Sequence, residues 1–431
     1  MQMNLNKSWI DNLNNLCQKY LMPAMLVLLF LYNTIVNTWV GGRIETLQNL
    51  LAVIIIGIVA VNIIFNHKII LPKWIKSNYI VLAYFVVRSI TIVRTDFDYS
   101  AIRSVFFELF FLIGITNCSL GNGKQTKYVL IFAVLEFIFT SVSLFLYYTI
   151  PLLGTEEVLL VFTNLETQGR ALLFGNTNAA GIMCAFAVIL AVIYCDKNIF
   201  RKKVILIYGI YNFIAMFLFG CRSANLGLIA AIVALILVSK IRFITGKKIV
   251  VASLICAVVS LVPIYYCIFN LNHYDSYELT DEEIIIDDIS TGRYLIWKQC
   301  AMTQTNNALF GMGSLKLEQE ARKQLITDID QNYYWKMVKS TEFGPHNGYI
   351  GMISSTGILG FTLFILSLFQ MIIRCRNLDN GKWYMLLVFI FVINCFESLF
   401  ILNRFFSCFY MFMILIGDFS REKEQSLFRR N

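Results

Sequence analysis

The sequence predicts an all-α polytopic membrane protein, a single integral membrane domain over residues 1–431 with about twelve transmembrane helices and one large extracytoplasmic loop between the ninth and tenth. Three observations predict it. Hydrophobic residues make up 58% of the chain and charged residues only 15%, and the mean hydropathy is +0.67, far too apolar for a soluble globular protein. Apolar runs near the ~20-residue spanning length recur from one end to the other. The basic residues gather in alternate connections between those runs. In hydrocarbon each backbone amide must be paired inside its own segment, so the runs are helices.

The span cores lie at about 21–40, 47–65, 78–93, 101–118, 128–150, 176–195, 204–220, 224–239, 249–269, 348–373, 383–402 and 404–418. No cleavable signal pattern precedes the first, which reads as a retained anchor. A net charge of +9 invites a nucleic-acid reading, but the placement of the cations argues for a membrane side and no nucleic acid. Alternate connections carry Lys73 and Lys76, Lys124 and Lys127, Lys202 and Lys203, Lys240 to Lys248, and Arg374 to Lys382. The positive-inside rule makes these loops, and both termini, cytoplasmic. The opposite short loops hold Arg43, Arg94, Arg170, Arg222 and Arg404.

The long connection, 270–345, needs a job. Its acidic start, "NHYDSYELTDEEIIIDDIS", reads as a solvated surface or flexible turn. "TGRYLIWKQCAMTQ" reads as an amphipathic helix lying on the bilayer, capped by Thr291 and with Trp297 at the interface. "LKLEQEARKQLITDI" reads as a second helix. The eleven cysteines lie mostly within or beside spans as small apolar fillers, and no Cys/His spacing suggests a metal site. No repeat relates the two halves, which weakens a secondary-transporter reading.

Against this background, His346 stands out in "FGPHNGYIGMISSTGILG", at the start of the tenth span. A histidine can take a proton from a hydroxyl, and the positive end of a helix favours its neutral, base-competent form. Asn347 beside it can orient the ring or cap the helix. Arg170, Arg222 and Arg293 all fall on the external side. Each alone can snorkel to water or lipid phosphate. Together with His346 they describe a cationic pocket for a phosphate-bearing lipid. Glu397 and Arg404 bracket the last external turn, where they can pair with each other or line the same cavity. Asp96 with Asp98, and Asp328 with Asp330, have a spacing able to hold a divalent ion, but such pairs arise often by chance. The glycines of "GNTNAAG" and "GILG" read as points where membrane helices approach closely.

These residues resemble the O-antigen polymerase and O-antigen ligase superfamily, the Wzy-type enzymes of bacterial envelope glycans. About twelve spans, a long late loop containing "TGRYLIW" and the exit "HNGYIGMISSTG" carry the resemblance. Arg170 precedes Gly181, and His346 precedes Gly357, each with ten intervening residues, and "CRSANLG" has Cys221 where serine is common. The resemblance implies a metal-independent, GT-C-like glycosyltransferase without a cofactor, acting at the outer face of the bacterial plasma membrane. It implies transfer of glycan from an undecaprenyl-diphosphate-linked oligosaccharide, with His346 as base, Arg170, Arg222 and Arg293 on the diphosphate, and Asn347, Glu397 and Arg404 in support. A chain-length regulator and a flippase are the partners it implies. A ligase, a flippase for the same lipid and a non-catalytic scaffold are the alternatives.

Overall fold

The structure, a computed structural model, describes residues 79–95, 124–153, 173–174, 177–195, 202–270, 279–290, 292–304, 307–324, 344–375, 378 and 382–398, with isolated positions among 12–61 and 101–109. The regular secondary structure of these residues is helical. Helix α1 covers 79–95. It is followed by α2 (Lys124–Leu153), α3 (Thr177–Cys195), α4 (Lys202–Phe219), α5 (Arg222–Lys240), α6 (Gly246–Val259) and α7 (Leu261–Asn270). Then come α8 (Asp281–Ile289), α9 (Arg293–Gln304), α10 (Leu315–Gln324), α11 (Gly348–Arg374) and α12 (Tyr384–Ile393).

Among the described residues, 6 helical stretches are long and apolar enough to cross a membrane: Val129–Thr149, Thr177–Cys195, Lys202–Phe219, Arg222–Lys240, Gly246–Phe269 and Gly348–Ile373. The chain is an integral membrane protein. α6 and α7 form one span bent at Ser260, because Pro263 has no N–H to offer the preceding turn. The expected cores 21–40, 47–65 and 101–118 are described only at isolated positions, and 404–418 lies outside the described residues. The expected span 383–402 is corrected: α12 ends at Ile393, and a turn follows.

α3 is the buried centre. Ala180, Cys184, Ala185, Phe186, Ala187 and Ile189 are fully enclosed, and small residues let α4 and α5 approach closely. α4 and α5 turn Ile207, Ile210, Ile229 and Ile236 outward, as a lipid-facing surface requires. Within the bundle, Glu136 accepts hydrogen bonds from Tyr208 Oη (2.8 Å) and Thr140 Oγ1 (2.9 Å), so this carboxyl is met by hydroxyls.

Contacts define two ends. At one, the backbone at Gly246 abuts the Leu378 carbonyl and the Tyr384 ring, and Tyr194 meets Trp383. Lys202, Lys203, Lys240, Arg242, Lys247, Lys248 and Lys382 belong to this end by their positions in the helices. At the other end, the starts of α3, α5 and α11 meet the end of α12.

Two expectations for the long connection are corrected. Within its acidic start, residues 279–290 are not a solvated turn: Thr280 and Glu283 form a reciprocal capping box that opens α8, while 271–278 lie outside the described residues. Glu283 and Asp287, one helical turn apart, then face inward together. Glu283 accepts from Lys298 Nζ (2.9 Å) and Tyr294 Oη (2.9 Å), and Asp287 Oδ1 accepts from Leu295 N (2.9 Å). Nor does α9 bury only one face. It packs among α7, α8, α10 and α11, and its polar residues find partners inside, Gln304 Nε2 donating to Ser354 Oγ at 2.6 Å. The expected Thr291 cap lies outside the described residues, and Ser290 Oγ accepts from Tyr294 N (2.9 Å). The second expected helix is present as α10. Burial, with the Glu318 carboxylate beside it, pushes the Cys300 thiol well above its usual range, which makes it a poor nucleophile.

The loop between α9 and α10 docks into a break in α11. Gly357 sits at φ 67, ψ −177, a backbone region open essentially only to glycine. There the helix's own hydrogen bonds are exchanged for bonds to the loop. Met312 N donates to Ser354 O (2.8 Å) and Gly313 N to Ser355 O (2.9 Å), while Ile358 N and Leu359 N donate to Ala308 O (2.9 Å) and Leu309 O (3.1 Å). Irregular backbone at this depth is tolerable because protein on both sides satisfies it.

Candidate functional site

The site begins with the turn that ends α12. Cys395 N and Phe396 N donate to carbonyls only three residues back, which tightens the chain and turns out successive carbonyls that a continuing helix would use. Each meets a donor from elsewhere. Asn394 O accepts from Gly348 N (2.8 Å), Cys395 O from Asn347 Nδ2 (3.0 Å), and Phe396 O from Arg293 Nη1 (2.7 Å). A Cβ at Gly348 would overlap the Asn394 side chain, so glycine permits the approach.

Those bonds fasten the segment carrying His346. Asn347 is the N-cap of α11, its Oδ1 accepting from Tyr349 N (3.0 Å) and Ile350 N (3.1 Å). Its role is to cap, and its amide also reaches α12's end. On the other side Trp297 Nε1 donates to Pro345 O (2.7 Å). Between these ties His346 adopts φ 46, an uncommon conformation for a residue with a Cβ. Replacing Trp297 by Phe is expected to cost about 1 kcal/mol through the lost hydrogen bond, read as a lower melting temperature in detergent.

Glu397 is the hub. Its side chain is only 4% exposed. Oε1 accepts from Asn178 Nδ2 (2.7 Å) and Arg293 Nη2 (3.1 Å), and Oε2 lies 3.5 Å from His346 Nδ1. The imidazole is 32% exposed, so a carboxylate on its inner side coexists with a solvent-facing edge. This arrangement can set the ring's orientation, as carboxylates do behind catalytic histidines. Arg404, the alternative partner for Glu397, lies outside the described residues; the described partners of Glu397 are Arg293, Asn178 and His346.

His346, Arg293, Asn347 and Glu397 are thus brought together. Arg222 sits at the same end of the bundle, exposed as the first residue of α5. Among the described residues it forms no ion pair with Glu397, whose cationic contacts are Arg293 and His346. Arg170, Asp96, Asp98, Asp328 and Asp330 lie outside the described residues. Cys221 is the N-cap of α5: its Sγ accepts from Ala224 N (3.4 Å) and contacts Asn178 O (3.6 Å). A Cβ at Gly181 would overlap Cys221, and one at Gly357 would overlap the Leu309 carbonyl. Both glycines of the ten-residue spacings therefore mark close approaches. Asn178 escaped the sequence reading, since nothing local in "GNTNAAG" separates a helix-start amide from one that reaches a carboxylate more than two hundred positions away.

Residues 207–365 match the family model Wzy_C, described as O-antigen ligase. This segment is similar to the O-antigen ligase family. It contains Arg222, Arg293 and His346, while Asn178 and Glu397 flank it from either side. The match supports a function of the O-antigen polymerase or ligase type. No curated protein and no solved structure matches the chain.

Proposed function

We propose that the protein is a polysaccharide polymerase, transferring glycan from an undecaprenyl-diphosphate-linked donor onto a lipid-linked repeat unit of capsule, exopolysaccharide or O-antigen. The observation that carries this is the gathering of His346 and Arg293 around one buried carboxylate, Glu397, at one end of the bundle. The lysine-rich opposite end supports placing that site at the outer face of the plasma membrane, with both termini cytoplasmic.

In the reaction, an acceptor sugar hydroxyl attacks the anomeric carbon as the bond to the diphosphate breaks. His346 takes the hydroxyl proton at Nε2 while Glu397 holds the ring through its Nδ1 side. The departing lipid diphosphate gains negative charge, which Arg170, Arg222 and Arg293 stabilise. Arg293 commits two nitrogens to Phe396 O and Glu397, and a guanidinium has five N–H donors, so others remain for an oxyanion. Attack opposite the leaving group inverts the anomeric centre. Neither a metal nor a cofactor has a part in this scheme. A chain-length regulator and a flippase are the expected partners.

The second reading, favoured by the family description, is a ligase that moves finished glycan to another acceptor. Purified protein given an undecaprenyl-diphosphate-linked repeat unit as both donor and acceptor is expected to yield a ladder of chain lengths. Transfer confined to lipid A core or protein selects the ligase. A bound but uncleaved donor defeats both and leaves a flippase.

A further inference from the structure

We infer that Asn178 is a positioning residue of this site, acting through Glu397; the inference rests on the glycan-transfer reading above. Asn178 is the second residue of α3, and its Nδ2 donates to Glu397 Oε1 at 2.7 Å, closer than Arg293 at 3.1 Å or His346 at 3.5 Å. A carboxylate beside an arginine alone can rotate about its last torsion and offer either oxygen. Two donors of different direction on Oε1 limit that rotation, and Oε2 is the oxygen left toward Nδ1 of His346.

The amide is delivered by a firm support. Asn178's own carbonyl contacts Cys221 Sγ at 3.6 Å, and one turn further along α3 Gly181 lies directly against Cys221. α3 and α5 therefore carry the amide together. The chemistry of the donor also matters. Asparagine supplies a hydrogen bond without charge, so Glu397 keeps its negative charge for Arg293 and His346 rather than sharing it with a third cation. Packing alone does not explain the contact, because α12 is already held to α5 by Phe389 and Ile393 against Gly227.

The test measures initial rates with an undecaprenyl-diphosphate-linked repeat unit extracted from the producing cells. Asn178→Ala is expected to lower kcat about tenfold, as removal of orienting partners does, with KM for the donor held within about twofold. In a Glu397→Ala background the same change is expected to cost nothing further, because the oxygen that Asn178 holds is gone. An unchanged kcat, or an equal loss in both backgrounds, overturns the inference. If Asn178→Ala melts at a lower temperature than the wild type, the uncharged and similarly sized Asn178→Leu, which loses the donor without placing a charge beside Glu397, replaces it; full kcat in that variant likewise overturns the inference. Wild-type protein that cleaves no donor overturns the glycan-transfer reading itself. Active wild-type protein with indifferent Asn178 variants overturns the positioning role alone.

Discussion

Replacing His346 by Ala is expected to reduce glycan transfer by roughly 100-fold or more while the lipid-linked donor still binds, the signature of a lost general base. The geometry explains why binding survives. The α11 N-terminus is capped by Asn347 and anchored to the carbonyls of Asn394 and Cys395, none of which needs the imidazole. Initial-rate measurements with parallel donor-binding assays check this. Wild-type turnover in the variant would exclude His346 as the base, and loss of donor binding would instead make it a ligand.

The second large effect concerns Gly357. Gly357→Ala is expected to destabilise the protein by about 3 kcal/mol, combining the cost of a side chain in a glycine-only conformation with overpacking against the Leu309 carbonyl. More than strain is at stake. Closing the break would return Ser354 and Ser355 carbonyls to α11 and strip the loop from Ala308 to Gly313 of its bonds. That loop joins α9, which carries Arg293, to α10, so the site should loosen as well. Gly344→Ala, where an added methyl group meets nothing within 4 Å, is the matched control. A lower melting temperature for the first variant and an unshifted one for the control is the expected pair of results.

What the sequence made legible follows from the range of the forces involved. Expected cores 128–150, 176–195, 204–220, 224–239, 249–269 and 348–373 coincide within a few residues with helices, because an apolar run near ~20 residues can satisfy its backbone in lipid only as a helix. The helical break at Gly357 stayed hidden, because the small residues of "SSTGILG" read equally well as a close approach between unbroken helices and only the distant loop "ALFGMG" explains it. α9 was misread for a related reason. Lys298 and Gln304 look like a solvent face until Glu283 and Ser354 are known to lie against them. Within the site, His346 was visible as a scarce residue type at a span boundary, and Arg293 as a cation opening the amphipathic helix of the long connection. Glu397 was visible as a lining residue of the same cavity, but its pairing with both was not. Arg293 and Glu397 are 104 positions apart, and charge pairing at that separation leaves no local pattern.

The account turns on where the donor's head group sits. An experimental structure of the protein in a lipid nanodisc with an undecaprenyl-diphosphate-linked oligosaccharide bound tests it most directly. Density for the diphosphate beside Arg222 and Arg293, with the first sugar near His346, is the result predicted. Density at the opposite end, among Lys240, Lys247 and Lys248, would contradict it.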